Sequence, residues 1–174
     1  MIDFNKIKAF AFDIDGVMTD GGIQCDLEGQ LYRIFDAKDA FAIRMAVMNG
    51  YPVGIITGGS SGSIRKRFLT VGLISENIYL GSRDKIKDFK DFCTKHLLKY
   101  EEVMYFGDDT PDVDVLKVSG IGVCPSDASE DAKNASDYIS PFPGGKGCVR
   151  DALEKVLKIQ GKWNFDVNIY ERLF

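Results

Sequence analysis

The chain has 174 residues, 45% of them hydrophobic and 28% charged, with a formal net charge of −4. This is ordinary composition for a globular domain with its own core. The acidic balance argues against a binder of nucleic-acid backbones, which carries a basic face, and no apolar run approaches the roughly 20 residues of a membrane span.

The N-terminal stretch Met1 to Lys6 lacks the basic-then-apolar order of a signal peptide. Ala9 to Asp13 (AFAFD) reads as a first strand. After it, Gly22 to Cys25 and Leu31 to Phe35 flank Asp26 to Gln30, a β-hairpin pattern over about 22–35. From there on, amphipathic stretches alternate with apolar ones. A helix is expected over Ala40 to Met48, a strand over Pro52 to Thr57 and a helix over Gly62 to Val71. A short strand comes next at Ile78 to Leu80, then a helix over Asp84 to Leu98, a strand over Val103 to Gly107 and a helix over Pro111 to Val118. Short strands at Ile121 to Val123 and Tyr138 to Ile139 precede a last helix, Cys148 to Ile159.

Continuous apolar strands separated by helices imply a three-layer, Rossmann-like parallel sheet covered on both faces. One domain over 1–174 is expected, with a tail at about 161–174. Ligands of such sheets sit beyond the carboxyl ends of the strands, near a switch in strand order. A lone hairpin is marginal in water, and the tail carries Trp163, Phe165, Tyr170 and Phe174. Both are expected to dock on another subunit. Cys25, Cys93, Cys124 and Cys148 show no C-x-x-C spacing. They read as small buried hydrophobes of a protein in a reducing cytoplasm.

The chemistry-bearing residues fall at strand ends. Asp13-Ile14-Asp15-Gly16-Val17-Met18-Thr19-Asp20 puts two carboxylates one residue apart directly after an apolar strand, able to face one crevice. Thr57-Gly58-Gly59 offers a hydroxyl and free amides to an anion. Lys85 opens a helix, where its charge opposes the helix dipole. Gly107-Asp108-Asp109-Thr110-Pro111-Asp112 adds three acids where a helix cap needs one. Gathered on one rim, Asp13, Asp15, Asp108, Asp109 and Asp112 would repel unless a cation intervened. An all-oxygen donor set points to a hard ion, best magnesium. The single histidine, His96, reads as a packing residue.

These strings, in this order, resemble the haloacid dehalogenase superfamily of aspartate-nucleophile phosphotransferases, from Ala9 to about Gln160. The resemblance implies that Asp13 is the nucleophile and Asp15 the acid and base. It implies that Thr57, Gly58 and Lys85 hold phosphoryl oxygens. Magnesium would be bound by Asp13, Asp108 and the backbone carbonyl of Asp15, with Asp109 and Asp112 in support. The gaps between motifs leave no room for a cap domain, which marks the capless subgroup.

Within that subgroup the chain resembles the 3-deoxy-D-manno-octulosonate (KDO) 8-phosphate phosphatases, tetrameric enzymes of lipopolysaccharide sugar synthesis. The shared strings are DIDGVMTDG, Phe35 to Asp39, IITG, GDD, Gly144 to Arg150 and Gln160 to Trp163. The resemblance places the Gly144 to Cys148 loop and the tail near a site shared between subunits. Gly59 and Ala40 depart from the family pattern, which has a basic residue and a glycine there. Lys38, Arg67 or Lys146 is expected to supply the missing cation to a sugar carboxylate. Phosphatases of nine-carbon nonulosonate 9-phosphates are the nearest alternative. A receiver-type phosphoacceptor module is the non-enzyme alternative, although its acceptor lies on a later strand.

Overall fold

A computed structural model describes residues 2–174. Six parallel strands form one sheet: β1 Ala9–Phe12, β4 Val53–Ile56, β5 Ile78–Tyr79, β6 Val103–Phe106, β7 Ile121–Cys124 and β8 Tyr138–Ile139. Their order across the sheet is β5-β4-β1-β6-β7-β8. Two further strands, β2 Gln24–Cys25 and β3 Leu31–Tyr32, pair only with each other as the hairpin.

Alternation along β1 splits the core between the two faces. Phe10 and Phe12 enter one cluster and Ala9 and Ala11 the other. The first face is covered by α1 Ala37–Met48, α2 Gly62–Leu69 and α6 Cys148–Ile159. The second is covered by α3 Lys85–Lys95, α4 Val113–Val118 and α5 Glu130–Ala135. In α6, Cys148, Val149, Ala152, Leu153, Val156 and Leu157 are all buried. That spacing is the i, i+3/i+4 stripe of a core-facing helix. Small residues set the layer distance on the second face: a Cβ on Gly54 would come within 3.0 Å of the Phe92 ring.

Asp39, in the first turn of α1, is fully buried and serves a different helix. Its carboxylate accepts from the amides of Gly147 at 3.2 Å and Arg150 at 2.7 Å. It thus satisfies free amides at the start of α6. Burial raises its pKa, and those two backbone donors oppose the rise.

One expectation needs correction. Cys25 is exposed, because the hairpin has no second layer beneath it, whereas Cys93, Cys124 and Cys148 are buried. The tail also has partners within its own chain. It turns back as α7 Val167–Leu173 and packs on α1 of its own chain. There Trp163 and Phe165 meet Phe41, and Arg44 lies over the rings of Tyr170 and Phe174. The outer face of α1 supplies those partners, and Phe165 stays 53% exposed. Two helices, α5 and α7, add to the expected elements. Ala132 is the sole buried residue of α5, and none of α7 is buried.

Candidate active site

The two crossovers on either side of β1 open in opposite directions, to β4 and to β6. A crevice of about 240 Å³ lies at this switch. It is lined by Asp13 and Asp15 after β1, by Thr57, Gly58 and Gly59 after β4, and by Lys85 at the start of α3. Asp108, Asp109, Pro111 and Asp112 after β6 complete it.

The loop after β1 is wound by its own residues. The amides of Val17, Met18 and Thr19 all donate to the carbonyl of Ile14. The buried Thr19 hydroxyl accepts from the amides of Gly16 at 3.4 Å and Gly21 at 3.2 Å. Gly144 and Gly145 back this loop from outside. A Cβ on Gly144 would stand 1.9 Å from the Gly16 carbonyl oxygen, and the Gly145 amide donates to Val17 at 2.9 Å. The glycine loop therefore supports the motif loop within one chain.

Lys85 is the cation at the crevice floor. Its ammonium lies 3.1 Å from Asp13 and 2.7 Å from Asp112, and the residue is 8% exposed. Burial lowers its pKa, but the two carboxylates outweigh burial and leave it raised. Asp112 also accepts from the buried Tyr105 hydroxyl at 2.6 Å and the Asp108 amide at 3.3 Å. It locks the Gly107 to Asp112 loop against β6. Burial, and then the charge of Asp112, push the Asp13 carboxyl up to about 6. Burial, with Asp13 and Asp112 nearby, pushes Asp108 up to about 8.

Those shifts mark a place that wants positive charge. Carboxylate oxygens of Asp13, Asp108 and Asp112 lie within 4.8 Å of one another. Oδ1 of Asp13 is buried without a partner among the described residues. An all-oxygen set with an unsatisfied acceptor fits magnesium, a hard ion held by one or two carboxylates and completed by water or phosphate. The third carboxylate of this group is Asp112; the Asp15 side chain is turned elsewhere.

Asp15 pairs with Arg33, a residue that sequence reasoning missed. Its only signal was a basic residue within an otherwise largely apolar hairpin run. Tyr105 was missed likewise, inside the apolar strand VMYF. The buried Thr57 hydroxyl accepts from the Gly59 amide at 3.1 Å, shaping the second loop. The expected sugar contacts do not line this crevice in the single chain. Lys38 and Lys146 line a separate cavity of about 510 Å³ beside α6, because each sits just before or within the first turn of a helix on the first face. Arg67 lines another, between the hairpin and α2. His96 packs against Phe92 and lies 2.8 Å from Asn77, away from the crevice.

Comparison with known proteins agrees with this fold. Residues 64–150 match the family described as haloacid dehalogenase-like hydrolase. The 3-deoxy-D-manno-octulosonate 8-phosphate phosphatase KdsC of Salmonella typhi is 32% identical over 162 residues, covering 93% of this chain and 85% of that protein. The Yersinia pestis phosphatase of the same name has a crystal structure matching with a TM-score of 0.88 at 30% identity, over 91% of this chain and 85% of the other. The Moraxella catarrhalis phosphatase, solved in complex with magnesium ion, phosphate ion and KDO, matches with a TM-score of 0.87 at 32% identity. That match covers 97% of this chain and 94% of the other. With this likeness running along nearly its whole length, the chain belongs to the haloacid dehalogenase-like hydrolases, in the company of their sugar-acid phosphatases.

Proposed function

We propose that the chain is a magnesium-dependent phosphomonoesterase acting through an aspartyl-phosphate on Asp13, with 3-deoxy-D-manno-octulosonate 8-phosphate as substrate. The observation that carries the reading is the convergence of Asp13, Asp15, Thr57, Lys85, Asp108 and Asp112 on one crevice at the strand switch. Asp13, Asp108 and the main chain at Asp15 would hold magnesium, with Asp109 and Asp112 supporting. When bound, such an ion would offset the charge of the phosphoryl oxygens, which otherwise repel the Asp13 carboxylate.

Thr57, the Gly58 amide and Lys85 hold the remaining phosphoryl oxygens. An Asp13 oxygen attacks phosphorus, and the bond from phosphorus to the ester oxygen breaks. Asp15 gives that leaving oxygen its proton. Water then attacks the same phosphorus, Asp15 takes the water's proton, and the bond to Asp13 breaks to release phosphate. Asp15 is thereby returned to its starting form.

The relatives named above act on KDO 8-phosphate, which supports the substrate. The exposed hairpin side chains Ile23, Leu27 and Ile34, with Phe165 and Leu173 of the tail, support a homotetramer in which a neighbour covers the crevice. In that assembly Lys38, Arg67 and Lys146 reach the sugar acid across a subunit boundary. Three buried free thiols suit a reducing cytoplasm.

A phosphate-release screen over sugar-acid phosphates, with and without magnesium, tests the reading. The eight-carbon acid should give the highest kcat/KM, ahead of nine-carbon acids, and chelation should abolish turnover. D13N turning over at the parent rate would sink it.

A further inference from the structure

Arg33 directly follows β3, on a hairpin whose neighbouring side chains stand in solvent, yet its own side chain is only 3% exposed. The reason is local. Two residues on, Phe35 seats edge-on against Phe68 of α2 with ring centres 5.6 Å apart, tacking the chain down beside the crevice. From there the guanidinium reaches Asp15. Nε donates to Oδ1 at 2.6 Å and Nη2 donates to Oδ2 at 2.9 Å. The remaining Nη1 is buried with no partner among the described residues. Asp15 is thus the guanidinium's hydrogen-bond partner through two of its three nitrogens. Gly59 makes room for it: a Cβ there would stand 3.3 Å from Nη2.

We propose that Arg33 is a positioning residue for the phosphatase reaction, its two-pronged contact holding the Asp15 carboxylate in one orientation at the crevice mouth. This rests on the reading in which Asp15 carries the proton: the fork is the contact of the ionised form, and the protonated form keeps one prong while its other oxygen turns to the leaving group. An aspartate with a single partner can turn about its side-chain torsions among several staggered states. A bidentate guanidinium fixes both oxygens at once. Proton delivery is sensitive to such placement, since an error of about 1 Å costs on the order of a hundredfold in rate. The same contact ties the hairpin, marginal by itself, to the residue that meets the leaving group.

The test uses two esters and two variants. Glycerol phosphate has an alkoxide leaving group that departs only when protonated; p-nitrophenyl phosphate has a phenolate that needs little help. In R33M, kcat/KM for glycerol phosphate is expected to fall at least about tenfold further than kcat/KM for p-nitrophenyl phosphate, because kcat/KM reads the step in which the leaving group departs. R33K, which keeps the charge without the fork, is expected between R33M and the parent. The ratio is taken within one preparation, so any unfolded fraction cancels. An equal loss on both esters in R33M overturns the proposal. A parent that releases phosphate from no ester, sugar-acid phosphates included, would instead sink the phosphatase reading.

Discussion

A Cβ placed on Gly16 would stand 2.0 Å from Oδ2 of Asp108, at a backbone φ of +94°. The loop after β1 and the loop after β6 therefore meet through a bare α-carbon. The contact sets how closely the first motif approaches the third. Glycine is required twice over, for the left-handed backbone and for the missing side chain.

G16A should push the two loops apart. We expect a drop in kcat of about a hundredfold or more, with a loss of stability above about 1 kcal/mol. Steady-state kinetics beside denaturant unfolding checks both. Parent-like kcat in G16A would contradict the tight approach.

Lys85 is the buried counter-charge to Asp13 and Asp112. Removing one partner of a buried pair costs about 3–5 kcal/mol. K85M should lose that order of stability at pH 8 in the metal-free protein. At pH 5 the loss should be smaller, because the Asp13 carboxyl, already held up at about 6, takes a proton there. Urea unfolding at the two pH values reads the difference; equal losses would contradict it.

Without divalent metal, stability should fall as pH rises. Asp13 and Asp108 titrate at about 6 and about 8 in the folded chain against an ordinary value of 3.8. Between those values the folded state holds more protons than the unfolded one, so each deprotonation disfavours folding. The melting temperature in a chelator should therefore decline from pH 5 to pH 8.5. Added magnesium should restore more at the alkaline end, since it competes with protons for the same oxygens. A chelated protein equally stable across that range would count against the acidic site.

Leu27 is fully exposed at the hairpin tip and Ile34 is 84% exposed at its base. Sedimentation at micromolar concentration should show a species several times the 19.3 kDa chain. The double variant L27D/I34D should sediment smaller. A monomeric parent would remove the subunit-sharing part of the function.

The crevice lining was readable from the sequence because each of its main residues sits at the carboxyl end of an apolar run or the first turn of a helix. Asp13, Thr57 and Asp108 come at the ends of β1, β4 and β6, and Lys85 opens α3. Strand order then needs no further information to bring them together, since parallel strands share one carboxyl edge. The resemblance in motif order said the same. What the sequence reading did not place were α5, where one buried residue leaves no apolar stripe, and α7, where Val167, Tyr170 and the C-cap Phe174 do recur at helical spacing.

Sequence alone thus determined the layered parallel sheet, the acidic rim and its hard-cation chemistry, because these depend on residue types at fixed offsets from strand ends. Tertiary structure decided the rest. Arg33 meets Asp15 across 18 positions, Asp39 serves α6 across more than a hundred, and the tail aromatics settle on α1. Side chains so far apart along the chain become neighbours only once the layers have packed, and no local spacing records where a guanidinium or a ring will come to rest.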